Sequence, residues 1–209
     1  MRIEKADSKK IEAVAELLKN GGVIIYPTET VYGIGCLAAN IEGIERIAEL
    51  KRSPEGTTYL ILIRDAERMS RYAATIPDLA KKLAKRFWPG PLTLVLPAKT
   101  GLHPRLVGSS GGIGMRVSAN RWCQALMAIL DDALVSTSAN LSGYASAASL
   151  MELDQQVGAQ ADLVIDGGIL PGEASTIVDL TSDRPKLIRE GAIKADEIRT
   201  LIADLASKF

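Results

Sequence analysis

Two stretches of this chain place small hydroxyls directly after an apolar run. Tyr26-Pro27-Thr28-Glu29-Thr30-Val31-Tyr32-Gly33-Ile34-Gly35 follows Gly22-Val23-Ile24-Ile25, and Ser136-Thr137-Ser138-Ala139-Asn140-Leu141-Ser142-Gly143 follows Ala133-Leu134-Val135. Such a run reads as a buried strand. Hydroxyls, a carboxylate and glycines at its end pack poorly, but they suit a place where polar groups and bare backbone approach a ligand. The same pattern used twice points to one site built from two strand ends. Thr28, Thr30, Ser136, Ser138, Ser142 and Ser175 can donate to anionic oxygens, and Lys51, Arg52, Arg116 and Arg189 can neutralise them. Arg116 stands inside the apolar run Ile113-Gly114-Met115-Arg116-Val117, and Arg189 ends Leu187-Ile188-Arg189. A guanidinium in a buried strand needs an anionic partner, because an unpaired buried charge is very costly. Two partners meet that need: an internal carboxylate, Glu29 or Asp179, or the carboxylate or phosphate of a substrate.

Other chemistries find little support. The chain has no G-x-G-x-x-G and no G-x-x-x-x-G-K-[ST]. Its one histidine, His103, precedes Pro104 in a polar loop, and no G-x-S-x-G elbow accompanies it. Cys36 and Cys123 fit no metal spacing and read as reduced thiols. What remains for a metal is an oxygen-bound Mg²⁺ carried in by a nucleotide. Tyr32 reads either as a stacking platform or as packing, and Trp88-Pro89-Gly90-Pro91 as a rigid helix stop with a core indole.

The elements that must hold these residues follow from periodicity. Apolar positions at helical spacing predict helices over Ile11 to Leu18, Ile41 to Leu50, Leu79 to Phe87, Asn120 to Leu130, Leu150 to Val157 and Asp196 to Ala206, and Asp65 can cap a short helix through Met69. Strands are predicted at Val23 to Ile25, Tyr59 to Ile63, Leu92 to Leu96, Ile113 to Val117, Ala133 to Ser136, Leu163 to Ile165, Ser175 to Leu180 and Lys186 to Ile188. The stretch after Pro27 reads as a turn through its glycines. Ala98 to Gly112 is the longest loop, of a length usually tied to function, and is a candidate lid. Alternating elements with some hairpin-like pairs favour one α/β domain over residues 1–209, with a mixed, twisted sheet. The 209 residues, 47% of them hydrophobic, suffice for one sizeable core. Lys plus Arg equals Asp plus Glu at 25 each, which argues against a generally cationic nucleic-acid wrapper. The charged N-terminus lacks the apolar core of a secretion signal, and no apolar stretch approaches the roughly 20 residues a membrane span needs. A soluble cytoplasmic protein without a membrane partner is expected.

Taken together, GGVIIYPTETVYGIG, WPGPLTLVL, GMRV, STSANLSG, DLVIDGG, STIVDL and LIREG run in order from residue 21 to residue 191. This ordered set resembles the YrdC/YciO family, which includes the bacterial threonylcarbamoyl-AMP synthases. The resemblance implies an open α/β fold with flanking helices and a large concave, positively lined cavity, in the short single-domain form. It implies a nucleotidyltransferase that joins L-threonine, bicarbonate and ATP (with Mg²⁺ as part of the substrate) into threonylcarbamoyl-AMP, with no permanent cofactor and no resident metal. The product would pass to t6A transfer proteins for the modification of tRNA. Relatives are also described as binding tRNA or double-stranded RNA. By position, Thr28, Arg116, Ser136 and Ser175 would bind threonine. Lys51, Arg52, Ser138, Asn140, Ser146 and Arg189 would bind ATP.

The run Lys51-Arg52-Ser53-Pro54 departs from the Lys-x-Arg-Pro of the family's synthases and looks closer to the YciO branch. That leaves a double-stranded RNA or tRNA-binding protein of the same fold as the alternative to a synthase, and by analogy a nucleotide or carbamoyl-phosphate hydrolase. The synthase chemistry needs no protein nucleophile. It needs anions brought together and phosphoryl charge stabilised, which is catalysis by positioning and electrostatics.

Overall fold

The computed structural model describes residues 2–206. Ten strands form one sheet: β1 Ile3–Lys5, β2 Ile24–Pro27, β3 Tyr32–Gly35, β4 Leu60–Leu62, β5 Leu92–Pro97, β6 Gly112–Arg116, β7 Leu134–Ser138, β8 Leu163–Asp166, β9 Thr176–Asp179 and β10 Lys186–Arg189. Their order across the sheet is β1-β8-β2-β3-β7-β4-β6-β5-β9-β10. The sheet is mixed: β1–β8, β2–β8, β4–β6 and β5–β9 pair parallel, and the other neighbours pair antiparallel. The helices are α1 Ile11–Lys19, α2 Ile41–Leu50, α3 Met69–Tyr72, α4 Asp78–Phe87, α5 Arg121–Ile129, α6 Gln155–Gln160 and α7 Ala195–Ala206.

Three elements differ from the sequence expectation. The stretch after Pro27 is not a simple turn: Tyr32–Gly35 is a fully buried strand paired antiparallel with β2, and only residues 28–31 form the tip of the hairpin. Its glycines serve close approach. A Cβ on Gly35 would stand well inside the carbonyl oxygen of Val135 on β7. The helix expected from Leu150 starts only at Gln155, because the Asp154 side chain accepts from Gln156 N (2.8 Å) and Val157 N (3.1 Å) and sets the N-terminus there. β1 was not anticipated: three residues with a single apolar side chain, Ile3, carry no alternation to read.

Side-chain parity explains where the cavity lies. On β2, β8, β4 and β7 the residues Ile24, Tyr26, Leu163, Ile165, Leu62 and Leu134 point to the face that α1 and α5 cover with Ile11, Val14, Leu18, Trp122 and Leu126. Their neighbours Ile25, Val164, Ile61 and Val135 point to the other face, in the larger core with Ile44, Ile47 and Leu83. Leu92, Leu94, Leu96, Ile113, Met115 and Val178 belong to that larger core as well. The opposite side of β5, β6 and β9 therefore carries Thr93, Val95, Gly114, Arg116, Ile177 and Asp179. These line an open hollow beyond the end of the α1/α5 layer.

Candidate functional site

The hollow has a volume of about 490 Å³ and is walled by the hairpin tip, the ends of β4–β7, β9 and β10, and the 106–112 part of the long loop. Thr28, Arg116, Ser136, Ser138, Ser146, Ser175 and Arg189, expected from sequence, all line it. The strand order accounts for the meeting. β7 lies between β3 and β4, pairing Gly33 with Ser138 and Leu60 with Ser136, while β4 pairs Leu62 with Arg116.

The hairpin tip is stiffened by its own hydroxyls. Thr28 Oγ1 donates to Val31 O (2.7 Å) and accepts from the amides of Thr30 (3.1 Å) and Val31 (3.2 Å). Its one proton is thereby used. In the 2.7 Å pair between the hydroxyls of Thr28 and Thr30, Thr30 must therefore be the donor. The Thr30 hydroxyl in turn accepts from Arg116 Nη1 at 3.3 Å. Thr28 thus builds the turn, and Thr30 hands it on to the guanidinium.

Arg116 is 3% exposed. Its Nε lies 3.6 Å from Glu29 Oε1, an ion pair that falls short of a hydrogen bond, since both atoms lack a hydrogen-bond partner. Glu29 Oε2 accepts from the Ser118 hydroxyl, which holds the carboxylate behind the cavity wall. Of the partners read from sequence, the internal carboxylate is present as Glu29, and the guanidinium it backs still lines the hollow.

Arg189 comes from the far edge. Its Nε and Nη2 both donate to Ser175 O (3.0 and 2.9 Å), and Nη2 also reaches Ser175 Oγ (3.2 Å). Ser175 Oγ lies 3.0 Å from Thr93 Oγ1. No carboxylate among the described residues forms an ion pair with Arg189. Burial, and then the charge of nearby Arg116, hold its pKa below the ordinary arginine value. Asp179 also lines the hollow, but its Oδ1 is taken up by Thr181; Arg116 and Arg189, neither hydrogen-bonded to a carboxylate, are the cationic donors an anion would meet there.

Four expected residues do not line the hollow, among them Ser142, whose hydroxyl turns to Ser53 Oγ at 3.2 Å. Lys51, 3% exposed at the end of α2, turns its ammonium to the carbonyl oxygens of Ser138 and Asn140, the latter at 2.7 Å. Burial brings its pKa down to about 8. Arg52 adopts a left-handed backbone (φ 49°) and reaches away to Gln156 Oε1 at 3.0 Å. Asn140 spends its amide protons on Leu141 O and Tyr144 O (2.8 Å each) and keeps a buried Oδ1 without a partner.

Sequence reasoning missed Thr93, Thr58, Ser109 and Ser110, which also line the hollow. The strict alternation of Leu92-Thr93-Leu94 was the signal for Thr93. No period marks the serines, which sit in a loop. His103 in that loop is no open surface residue. Its Nδ1 accepts from Arg105 N (3.2 Å) and its Nε2 lies 3.2 Å from Glu45 Oε1 on α2. Both cysteines are free and buried, and no cluster of metal-ligating side chains occurs among the described residues.

Comparison with known proteins supports the fold. A family model for Sua5, YciO and YrdC proteins, described as "Telomere recombination", matches residues 16–191. A Pyrococcus abyssi protein named threonylcarbamoyl-AMP synthase is 35% identical over 204 residues, which cover 97% of this chain and 60% of that protein. The crystal structure of P. abyssi Sua5 complexed with L-threonine superposes with a TM-score of 0.87 at 34% identity, covering 96% of this chain and 59% of that one. The crystal structure of E. coli YciO superposes at 0.83 with 31% identity, covering 94% and 97%. The chain thus spans about three-fifths of the P. abyssi relative and nearly all of YciO. With its motifs in order, its sheet matching both structures and its family model covering most of its length, this chain belongs to the Sua5/YciO/YrdC family.

Proposed function

We propose that the chain is an L-threonylcarbamoyladenylate synthase, a nucleotidyltransferase that makes threonylcarbamoyl-AMP from L-threonine, bicarbonate and ATP for the t6A modification of tRNA. The observation that carries this reading is the convergence of Arg116, backed by Glu29, and Arg189 on a hollow lined by serine and threonine hydroxyls. The likeness to a relative named for this activity, and to one solved with L-threonine, supports it. In this reading residues 1–209 act as one YrdC-like unit in the cytoplasm. No helix among the described residues is long and apolar enough to cross a membrane.

Two poles divide the work. Arg116, partly compensated by Glu29, is suited to the single charge of the threonine carboxylate, with Ser136 and Ser175 as hydroxyl donors. Arg189 forms no ion pair with a carboxylate and is suited to the polyanionic nucleotide, with Ser138 and Ser146 lining the same hollow. Threonine's amine adds to bicarbonate with loss of water to give a carbamate. A carbamate oxygen then forms a bond to the α-phosphorus while the bond from that phosphorus to the bridging oxygen of pyrophosphate breaks, and pyrophosphate leaves with its electron pair. Mg²⁺ would enter with ATP as part of the substrate and offset charge on the phosphates. The protein's own part is to hold three anionic groups together and to stabilise charge on the phosphoryl oxygens.

The purified chain supplied with ATP, bicarbonate and L-threonine should release pyrophosphate only when all three are present. Pyrophosphate release at the same rate without threonine would overturn the reading.

A further inference from the structure

The lysine that follows α2 is buried, and it does not line the hollow. Its ammonium is met by two backbone carbonyls, those of Ser138 and Asn140, and its own carbonyl accepts from Ser142 N at 2.8 Å. No carboxylate among the described residues forms an ion pair with it. The next residues extend the same seam: Ser53 Oγ accepts from Tyr59 OH (2.8 Å) and lies 3.2 Å from Ser142 Oγ. Carbonyl oxygens repel one another, so the Ser138 and Asn140 oxygens converge stably only where a strong donor stands between them. A charged donor to neutral acceptors gives the stronger class of hydrogen bond. Ser138 is at once the end of β7, a carbonyl ligand of this ammonium and a wall of the hollow.

We propose that Lys51 is a positioning residue, not a phosphate contact: by gathering the Ser138 and Asn140 carbonyls it holds the 138–142 segment in the wall of the hollow and so fixes where the Ser138 hydroxyl points. The segment has no helix or strand of its own beyond β7, and its Asn140 amide is turned inward to Leu141 and Tyr144. Its backbone is tied by Ala139 N to Tyr32 O, Asn140 N to Ser138 O, Ser142 N to Lys51 O and Tyr144 N to Leu141 O, and the side chain of Lys51 adds the link that gathers both the Ser138 and the Asn140 carbonyls. The inference concerns the free protein. It stands apart from the synthase reading, and its test uses no turnover.

Hydrogen–deuterium exchange of the full chain without ligands separates the two roles. Lys51→Met keeps the length and apolar stem and removes the donor. We expect amides of residues 139–144 to exchange about tenfold faster or more in this variant, with β2–β3 amides unchanged, and Lys51→Arg to restore protection in part. Unchanged exchange at 139–144, with weaker binding of pyrophosphate, would assign Lys51 to phosphate and overturn the inference. Should Lys51→Met fail to fold, the wild-type protein still decides. The ¹⁵Nζ resonance of Lys51 should stand apart from those of the exposed lysines and hold its position when pyrophosphate is added. A large shift on addition would count against the clamp.

Discussion

Glu29 Oε1 stands 3.6 Å from Arg116 Nε, behind the wall of the hollow, while its Oε2 accepts a hydrogen bond from the Ser118 hydroxyl. The carboxylate therefore has two separable jobs, to offset charge and to keep the hairpin tip against β6. Glu29→Gln removes the charge but keeps an acceptor for Ser118. Threonine affinity should then stay close to wild type, while the loss of a partly buried counter-charge lowers stability by about 2 kcal/mol. Glu29→Ala removes both jobs and should weaken threonine binding by about tenfold. Calorimetric titration with L-threonine, run beside thermal unfolding, distinguishes the two. Equal loss of affinity in both variants would mean that charge alone matters.

Arg189 is anchored by two donors on one carbonyl, Ser175 O, an arrangement that depends on the planar guanidinium. Arg189→Lys keeps the charge and loses the fork. We expect the larger effect on ATP rather than on threonine, because Arg116 remains. Arg189→Ala should cost about 2–4 kcal/mol of transition-state stabilisation, read as kcat/KM for ATP. Arg189→Lys should recover less than half of that. A loss confined to the threonine KM would reverse the division between the two poles.

Much of this site was legible because strand alternation writes itself into sequence. Leu92-Thr93-Leu94, Ile113-Gly114-Met115-Arg116 and Val135-Ser136 each put an apolar residue into the larger core and its neighbour onto the hollow. The convergence of Thr28, Arg116, Ser138 and Arg189 was legible only through the order of motifs, since no local rule places β3 beside β7 or β4 beside β6. Two things were hidden. Tyr32–Gly35 looked like a turn because glycine lowers strand propensity, yet here glycine is what lets β3 lie against β7. The directions of Lys51 and Arg52 were hidden too, because adjacent residues leaving a helix end diverge with a single φ, here the 49° of Arg52.

That strand offers a stability test. A Cβ on Gly33 would meet Tyr26 Cζ at 3.2 Å and Ser136 Oγ at 3.4 Å, contacts that small shifts relieve. A Cβ on Gly35 would collide with backbone, the Val135 carbonyl, which cannot rotate away. Gly35→Ala should therefore cost more than Gly33→Ala, about 3 kcal/mol or more against about 1 kcal/mol. Urea unfolding of the two variants measures both. Equal midpoints would show that β3 is free to move away from β7.

The two buried cysteines should contribute to the fall in stability at alkaline pH. Cys36 and Cys123 are 0% and 1% exposed, and burial pushes each thiol up to about 12. Asp132 adds to the effect at Cys36, and Glu29 adds to it at Cys123. In the unfolded chain the same thiols ionise near 9. The folded state therefore holds more protons than the unfolded state between 9 and 12, and the slope of stability with pH is negative there. The thiol contribution is intact below pH 9 and is lost as pH rises toward 12. A disulfide reagent at pH 8 should accordingly label neither thiol in the native protein and both after unfolding. Cys36→Ala and Cys123→Ala should each flatten the fall in stability between pH 9 and 11 measured by chemical denaturation. A wild-type slope unchanged in both variants would mean that other groups, such as Tyr72, held up to about 12 by burial and Asp132, carry the alkaline transition.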